Sequence, residues 1–512
     1  MPRLASVSGW ARRHKKKLIA LATVIALPVV AHLLVGHVTH IAPPDLATPR
    51  FTATTTPDGV TRAARGWSAT RGVRLVHLAG TPEEIGAQHT ALLYDRMVAD
   101  EQVLWDGFAE LLPFAPARAL VFDIARVRYR DVASSFPEPR RRELAAEARA
   151  FDPDPYAGQL PTYQRMVMLH ALYDIALGFE RSPLLGCTAF GLGPEMTADG
   201  HALFARAFDF EAADVFDADK VVFLVHEDGK IPFASVAWPG FVGVVTGMNA
   251  EGVAVAVHGG RAREPSVSGV PVAFSLREVL AAARDTDEAV RLLASQPVMV
   301  SHIVFVGDGT GRFAVVERAP GVPAHVRTSF AYPGAAGTGR AAVTNHFEGP
   351  LAGDPRDEHV RRTTTSLARR ARVDAILGAL SPKSATVPRT LELLRDHGCA
   401  EETCPLGDRR AIDAFIATHG VVADLTARTL WVSEGPRLSG RFVKIEPGTL
   451  VRRADGLPPE VPSLESLEAL PADPALADGR YTEGRARAGG PLLKGARPAS
   501  APASGDGRGG SR

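Results

Sequence analysis

Apolar residues recur at three- and four-residue intervals through "EEIGAQHTALLYDRMVADEQVLWDGFAELL" and "LPTYQRMVMLHALYDIALGF". That spacing predicts amphipathic helices from about residue 73 to 183. After Gly186 the pattern changes. "HALFARAFDF", "KVVFLVHED", "ASVAWPGFVGVVTGMN" and "GVAVAVHGG" are short, rich in β-branched residues and separated by Gly or Asp-Gly, which predicts a series of antiparallel strands. "SLREVLAAARDTDEAVRLLAS" (275–295) returns to the helical period, and "SHIVFVGDG" with "RFAVVERAP" predicts a hairpin around Asp308-Gly309-Thr310-Gly311. "TTSLARRARVDAILGAL" and "PRTLELLRDHG" predict helices, and "HGVVADLTARTLWVSEG" and "GRFVKIEPG" predict closing strands. Sheets with helices on their outer faces follow from this order.

The ends of the chain have a different character. Arg12-Arg13-His14-Lys15-Lys16-Lys17 precede "LIALATVIALPVVAHLLVGHV", an apolar run with positive charge on the side that stays in the cytoplasm. Residues 1–38 are therefore expected to be an uncleaved signal anchor, with a signal peptide cut near Val29-Val30-Ala31 as the alternative. Either way the remainder is expected to leave the cytoplasm, facing the periplasm or the extracellular side, anchored or secreted. Residues 39–72, rich in Pro, Thr, Ala and Gly, are expected to be a linker. Pro, Ala, Gly and Arg dominate residues 451–512, the last fifteen lack apolar periodicity, and this stretch is expected to be a disordered tail.

Composition narrows the function classes. At 512 residues, 46% apolar and 22% charged, the chain has the make-up of a folded enzyme-sized protein, and a net charge of +1 points to no nucleic-acid partner. There is no Walker loop, no GxGxxG behind a strand, no HExxH and no paired CxxC, and the 16 histidines show no metal-ligand spacing. No metal and no cofactor is expected. Of the three cysteines, Cys399 and Cys404 flank "AEET" and are close enough for a small disulfide loop in an oxidising compartment, although three free thiols fit the sequence equally. Cys187 is then the odd thiol.

Cys187 stands directly behind Gly186, where the helical pattern gives way to strands. A lone cysteine is most often a small buried hydrophobe. At this junction its thiol can also attack the preceding carbonyl, an N-to-S acyl shift, and glycine suits the strained backbone that the attack requires. Hydrolysis of the thioester leaves a chain that begins with cysteine. Its α-amine then acts as the base for its own thiol, so no histidine partner is needed.

"GCTAF", followed by "FARAFDF", "GMNAEGVAVAV" and "AVTNHF", resembles the N-terminal-nucleophile hydrolases of the penicillin acyltransferase (acyl-CoA:6-aminopenicillanic acid acyltransferase) family. The upstream "LAGTPEEIGAQHTALL" is similar to that family's pro-segment, except that Thr90 stands where relatives generally have glycine. The resemblance spans roughly residues 74–446 and implies an α+β fold, an αββα sandwich with a helical N-terminal pro-segment. It implies self-cleavage between Gly186 and Cys187, giving an alpha chain that includes the pro-segment (73–186) and a catalytic beta chain (187–450) that remain associated. Cys187 matches the nucleophile, and Arg206 and Asp209 match the charged pair beside it. Physically, Arg206 favours the thiolate and Asp209 holds the new α-ammonium. Asn249, before Gly252, is placed to donate to an oxyanion, a turn asparagine being the alternative. Asn345 matches the second family asparagine, a further oxyanion or amine contact, and Arg441 matches an arginine near the thiol in the choloylglycine relatives. His346 is taken as structural.

The implied activity is an exported, self-processing cysteine amidohydrolase or acyltransferase acting on a small acyl-amide or acyl-thioester. A ceramidase-like or choloylglycine-hydrolase-like amidase differs from it only in the pocket. A membrane-tethered, non-catalytic binding protein of the same fold is the reading from another class; the intact set Cys187, Arg206, Asp209, Asn249 and Asn345 argues against it.

Overall fold

The computed structural model describes residues 15–177, 185–211, 213–330, 339–400, 403–446 and 467–489. Among these residues the strands form one sheet of eleven and one of seven. Neighbouring strands are antiparallel with one exception, Val73–Gly80, which runs parallel to Val221–Glu227. Parallel neighbours need a long crossover. Here the N-terminal helices and the first strands of the smaller sheet supply it.

Alternation along the strands shows how the layers stack. In Val221–Glu227, Val221, Phe223 and Val225 join an apolar cluster with Ile85, Leu93, Leu144 and Val167 from the N-terminal helices. Val222 and Leu224, pointing the other way, join one with Phe190, Phe204 and Ala205 of the smaller sheet. A period of two with both faces buried marks a sheet covered on both sides. Helices Ser366–Ala379 and Val387–Leu394 close the outer face of the smaller sheet with Val373, Leu377, Leu391 and Leu394. The order is helix, sheet, sheet, helix: the α+β, αββα sandwich expected from the resemblance.

Local chemistry explains the pro-segment. Thr81 opens the helix Pro82–Leu111 with a capping box, its hydroxyl accepting from the Glu84 amide and the Glu84 carboxylate accepting from its own. A Cβ on Gly86 would lie 2.1 Å from the Glu143 carbonyl oxygen, so glycine there lets the helix Glu138–Ala150 approach backbone to backbone. One turn on, the buried Thr90 hydroxyl donates to the Glu147 carbonyl at 3.1 Å. The larger residue is accommodated because its one polar group is satisfied.

Beyond the strand Val73–Gly80, which stands where the helical stretch was expected to begin, four expectations change. Residues 39–72 are not simply a linker: Thr54–Thr55, Thr61–Ala63 and Gly66–Arg71 are strands that extend the larger sheet, with Trp67 fully buried. The helix expected over 275–295 is two, Val272–Ala282 and Thr286–Ser295, because the Asp285 carboxylate caps the second by accepting from the Glu288 amide. The expected tail, although much of it lies outside the described residues, contributes the strand Ala469–Leu470 and the helices Pro474–Ala477 and Arg480–Ala488. Asp473 ties that segment down, accepting from the Ala475 amide and bonding His397.

The fourth concerns the anchor. Lys15–Val38 is a 24-residue helix that contains Pro28. It leans on Ala115–Arg128 through His32 and Asp123, 2.9 Å apart. Among the described residues no helix is long and apolar enough to cross a membrane. A spanning anchor therefore finds no support in the fold.

Candidate active site

Cys187 lies on Leu185–Leu192, between Arg340–Val343 and Leu203–Phe210 in the smaller sheet. The register sets Gly186 opposite Asp209, Cys187 opposite Phe208 and Ala189 opposite Arg206. Two strands thus bring the cysteine and the RAFD segment together. Arg206, fully buried, donates Nη2–H to Cys187 Sγ at 3.3 Å. A Cβ on Gly186 would meet Asp209 Oδ2 at 2.9 Å, so the glycine makes room for the carboxylate beside the Gly186–Cys187 bond.

Asn345 reaches the same bond from the strand Arg340–Val343 and the turn after it. Its Oδ1 accepts from the Cys187 amide at 2.7 Å and its Nδ2 donates to the Gly259 carbonyl at 3.0 Å. Ser366 fixes that turn: its hydroxyl oxygen accepts from the Asn345 amide at 2.8 Å and lies 2.9 Å from His346 Nδ1. Burial lowers His346 to about 3, in keeping with a structural role for a neutral ring.

One residue of this cluster escapes the sequence reading. Arg369, one turn into Ser366–Ala379, donates Nη1–H to the Cys187 carbonyl and to the Thr188 hydroxyl, and Nη2–H to Asn345 Oδ1 at 2.8 Å. Its signal was periodicity: Arg369 shares the buried stripe with Val373 and Leu377, an arginine where the helix pattern calls for an apolar residue.

Two expected residues lie elsewhere. Asn249 donates both Nδ2 hydrogens, to the carbonyls of Leu280 and Ala283, and its Oδ1 accepts from the amides of Glu251 and Val253. Its amide is committed to a turn and has no donor left for an oxyanion. Arg441 is exposed and pairs with Glu434 at 2.7 Å. It belongs to the surface, away from the buried thiol.

The electrostatics also differ from the expected thiolate. Burial pushes the Cys187 thiol up from its ordinary value, outweighing the opposing pull of Arg206. Burial likewise raises Asp209 to about 7, against Arg369. The uncut site therefore keeps its thiol protonated. Several buried polar atoms around it have no hydrogen-bond partner among the described residues: Arg206 Nε and Nη1, both ring nitrogens of His258, and the Tyr173 hydroxyl from the pro-segment. Polar atoms left this way are where a ligand or water is to be sought.

An αββα sandwich whose smaller sheet carries the cysteine on the strand next to its edge, among these polar groups, is the arrangement that the motif likeness implies. The likeness drawn from the motifs is borne out by a family model: that of the acyl-coenzyme A:6-aminopenicillanic acid acyl-transferases matches residues 196–435. The matched stretch includes Arg206, Asp209, Asn345 and Arg369; Cys187 precedes it and Arg441 follows it. An uncharacterized protein of Archaeoglobus fulgidus is 28% identical over 261 residues, 47% of this chain, and the match spans 42% of that relative's length. Among solved structures, the Caenorhabditis elegans N-acylethanolamine-hydrolyzing acid amidase ortholog is 15% identical over 47% of this chain and 93% of its own, with a TM-score of 0.34. Penicillin V acylase from Agrobacterium tumefaciens is 16% identical over 56% of this chain and 99% of its own, with a TM-score of 0.30. Likenesses of that extent carry no weight here.

Proposed function

We propose that the chain is a self-processing cysteine amidohydrolase or acyltransferase with Cys187 as its nucleophile. One observation carries this: the peptide bond between Gly186 and Cys187 is gripped on every side, its nitrogen by Asn345, the sulfur by Arg206, the next carbonyl by Arg369 and its glycine by Asp209. In the first step Sγ bonds to the Gly186 carbonyl carbon, the C–N bond breaks, and the thiol proton passes to the departing nitrogen. Water then adds its oxygen to the thioester carbon, the C–S bond breaks, and a water proton passes to sulfur, leaving Gly186 as a free carboxyl terminus. The new α-amine, with an ordinary pKa near ~7.7–8.0, takes the thiol proton in turnover and passes it to the leaving group. Water or an amine accepts the acyl group from sulfur.

Intact-mass measurement and N-terminal sequencing test this reading. Two chains are expected, the second beginning at Cys187. Cys187→Ala should stay whole and inactive, and Cys187→Ser should cut slowly, an alkoxide being harder to form than a thiolate. A cut at any other bond overturns the proposal.

Export is part of the proposal. The Cys399–Cys404 disulfide suits an oxidising compartment. Exposed Leu27, Leu33 and Leu34 on Lys15–Val38, with Phe114, Leu120 and Ile124 at and on the neighbouring helix, present apolar surface suited to a lipid phase. Recovery outside the cytoplasmic fraction is expected; a chain confined to the soluble cytoplasmic fraction would refute export.

A further inference from the structure

His258 lies on the strand Ala254–Gly259, next to the Gly259 whose carbonyl binds Asn345. Ala254 and Ala256 belong to the cluster between the sheets, whereas Val255 and Val257 belong to the one under the helices. By the same alternation His258 faces the smaller sheet, where Cys187 lies. The ring is fully buried against the Cys187 backbone, with which it makes one hydrogen bond short of full geometry, and Arg206 and Arg369 lie nearby. A buried N–H without a fully formed hydrogen bond costs about 1–3 kcal/mol, so an imidazole this poorly partnered beside the nucleophile calls for a ligand.

The other donors around the thiol are largely spoken for. Asn249 serves its turn, the Asn345 amide donates to Gly259, and both terminal nitrogens of Arg369 hold backbone or side-chain oxygens. Resting on the function proposed above, we propose that His258 is a catalytic residue of this site, its ring N–H donating to the acyl oxygen that becomes negative when Cys187 sulfur adds to the carbonyl. In that step the S–C bond forms, the carbonyl π pair moves onto oxygen, and His258 stabilises the charge without giving up its proton. Burial and the two guanidinium groups keep the ring uncharged. An uncharged imidazole among cations is a poor base, but it retains one N–H to donate.

The test uses the full chain and its Ala and Asn variants at 258, confirmed as folded and cut, with the p-nitroanilides of acetic, phenylacetic and octanoic acid as probes. For His258→Ala, kcat should fall by about 10²–10³ with KM nearly unchanged. His258→Asn keeps a side-chain N–H and should recover about tenfold of that loss. The wild-type pH–rate profile should keep its shape in both. An Ala variant with near wild-type kcat overturns the assignment, as does an Asn variant no better than Ala or a lost acidic limb. If Ala fails to fold or mature, the Asn variant decides alone: near wild-type pH shape with a reduced kcat supports the role, and unchanged kcat or loss of the acidic limb refutes it. A wild-type chain that neither cuts nor hydrolyses any probe removes the functional reading and this role together.

Discussion

Arg369 donates a hydrogen bond to the carbonyl oxygen of Cys187, although 182 residues separate them in the chain. The same guanidinium reaches Asn345 Oδ1, which in turn accepts from the Cys187 amide. One buried cation therefore fixes both sides of the cysteine's backbone.

Replacing Arg369 should accordingly stall maturation. Arg369→Met keeps much of the apolar stem and removes the donors, leaving the Cys187 carbonyl and Asn345 without their partner. Self-cleavage followed by intact mass should slow by about 10²-fold, the scale of one lost electrostatic contact in a buried site. A cleavage rate equal to wild type would mean that Arg369 only packs.

Asn249→Ala should act on stability instead of chemistry. The change deletes four hydrogen bonds at a strand end and leaves the Leu280 and Ala283 carbonyls unpaired. A loss of about 2–4 kcal/mol is expected in urea unfolding. Turnover per folded molecule should stay close to wild type, and a large fall in kcat at unchanged stability would restore the oxyanion role.

Asp209 gives a pH signature before and after the cut. In the uncut chain its carboxyl is raised to about 7. A carboxyl raised on folding binds more protons folded than unfolded, so its contribution is full below the ordinary carboxylate range and is lost as pH rises through about 7. In the uncut Cys187→Ala background, Asp209→Asn should flatten the fall in Tm between these limits. In the cut enzyme, the intact carboxylate keeps the α-amine pKa high, so Asp209→Asn should move the acidic limb of the pH–rate profile downward and reduce the maximal rate. Unchanged profiles in both forms would place Asp209 outside the site's electrostatics.

Arg441→Ala provides the contrast. Its exposed pair with Glu434 is of the kind worth ~0–1 kcal/mol. Self-cleavage and kcat should match wild type; a marked loss of either would bring the arginine back to the thiol.

Legibility followed the range of each signal. The strand-and-turn alternation around 302–318 is local, and His302–Gly307 pairs with Phe313–Arg318 as a hairpin. Cys187, Arg206 and Asp209 stand out because their strands are adjacent in sequence as well as in space. Asp285 splits a long helical pattern through a cap, which apolar period alone does not reveal. Arg369 and His258 reach the Cys187 backbone only through tertiary packing, from a helix and from the opposite sheet, and no spacing in the sequence links them to it. The Thr54–Arg71 strands were hidden by composition, since Thr, Ala and Gly read as a loop until a sheet edge receives them.

The parallel pairing of Val73–Gly80 with Val221–Glu227 sets what a cut at 186 and 187 means for the molecule. The earlier fragment owns a strand with a neighbour on each side, so the nick separates the covalent chain without releasing a lid. Unfolding then becomes a dissociation. The cut protein's melting temperature should depend on its concentration, as that of an obligate heterodimer does, while the uncut Cys187→Ala chain melts independently of dilution. Such a cut would convert one-chain folding into an assembly that, once lost, must be re-formed by collision.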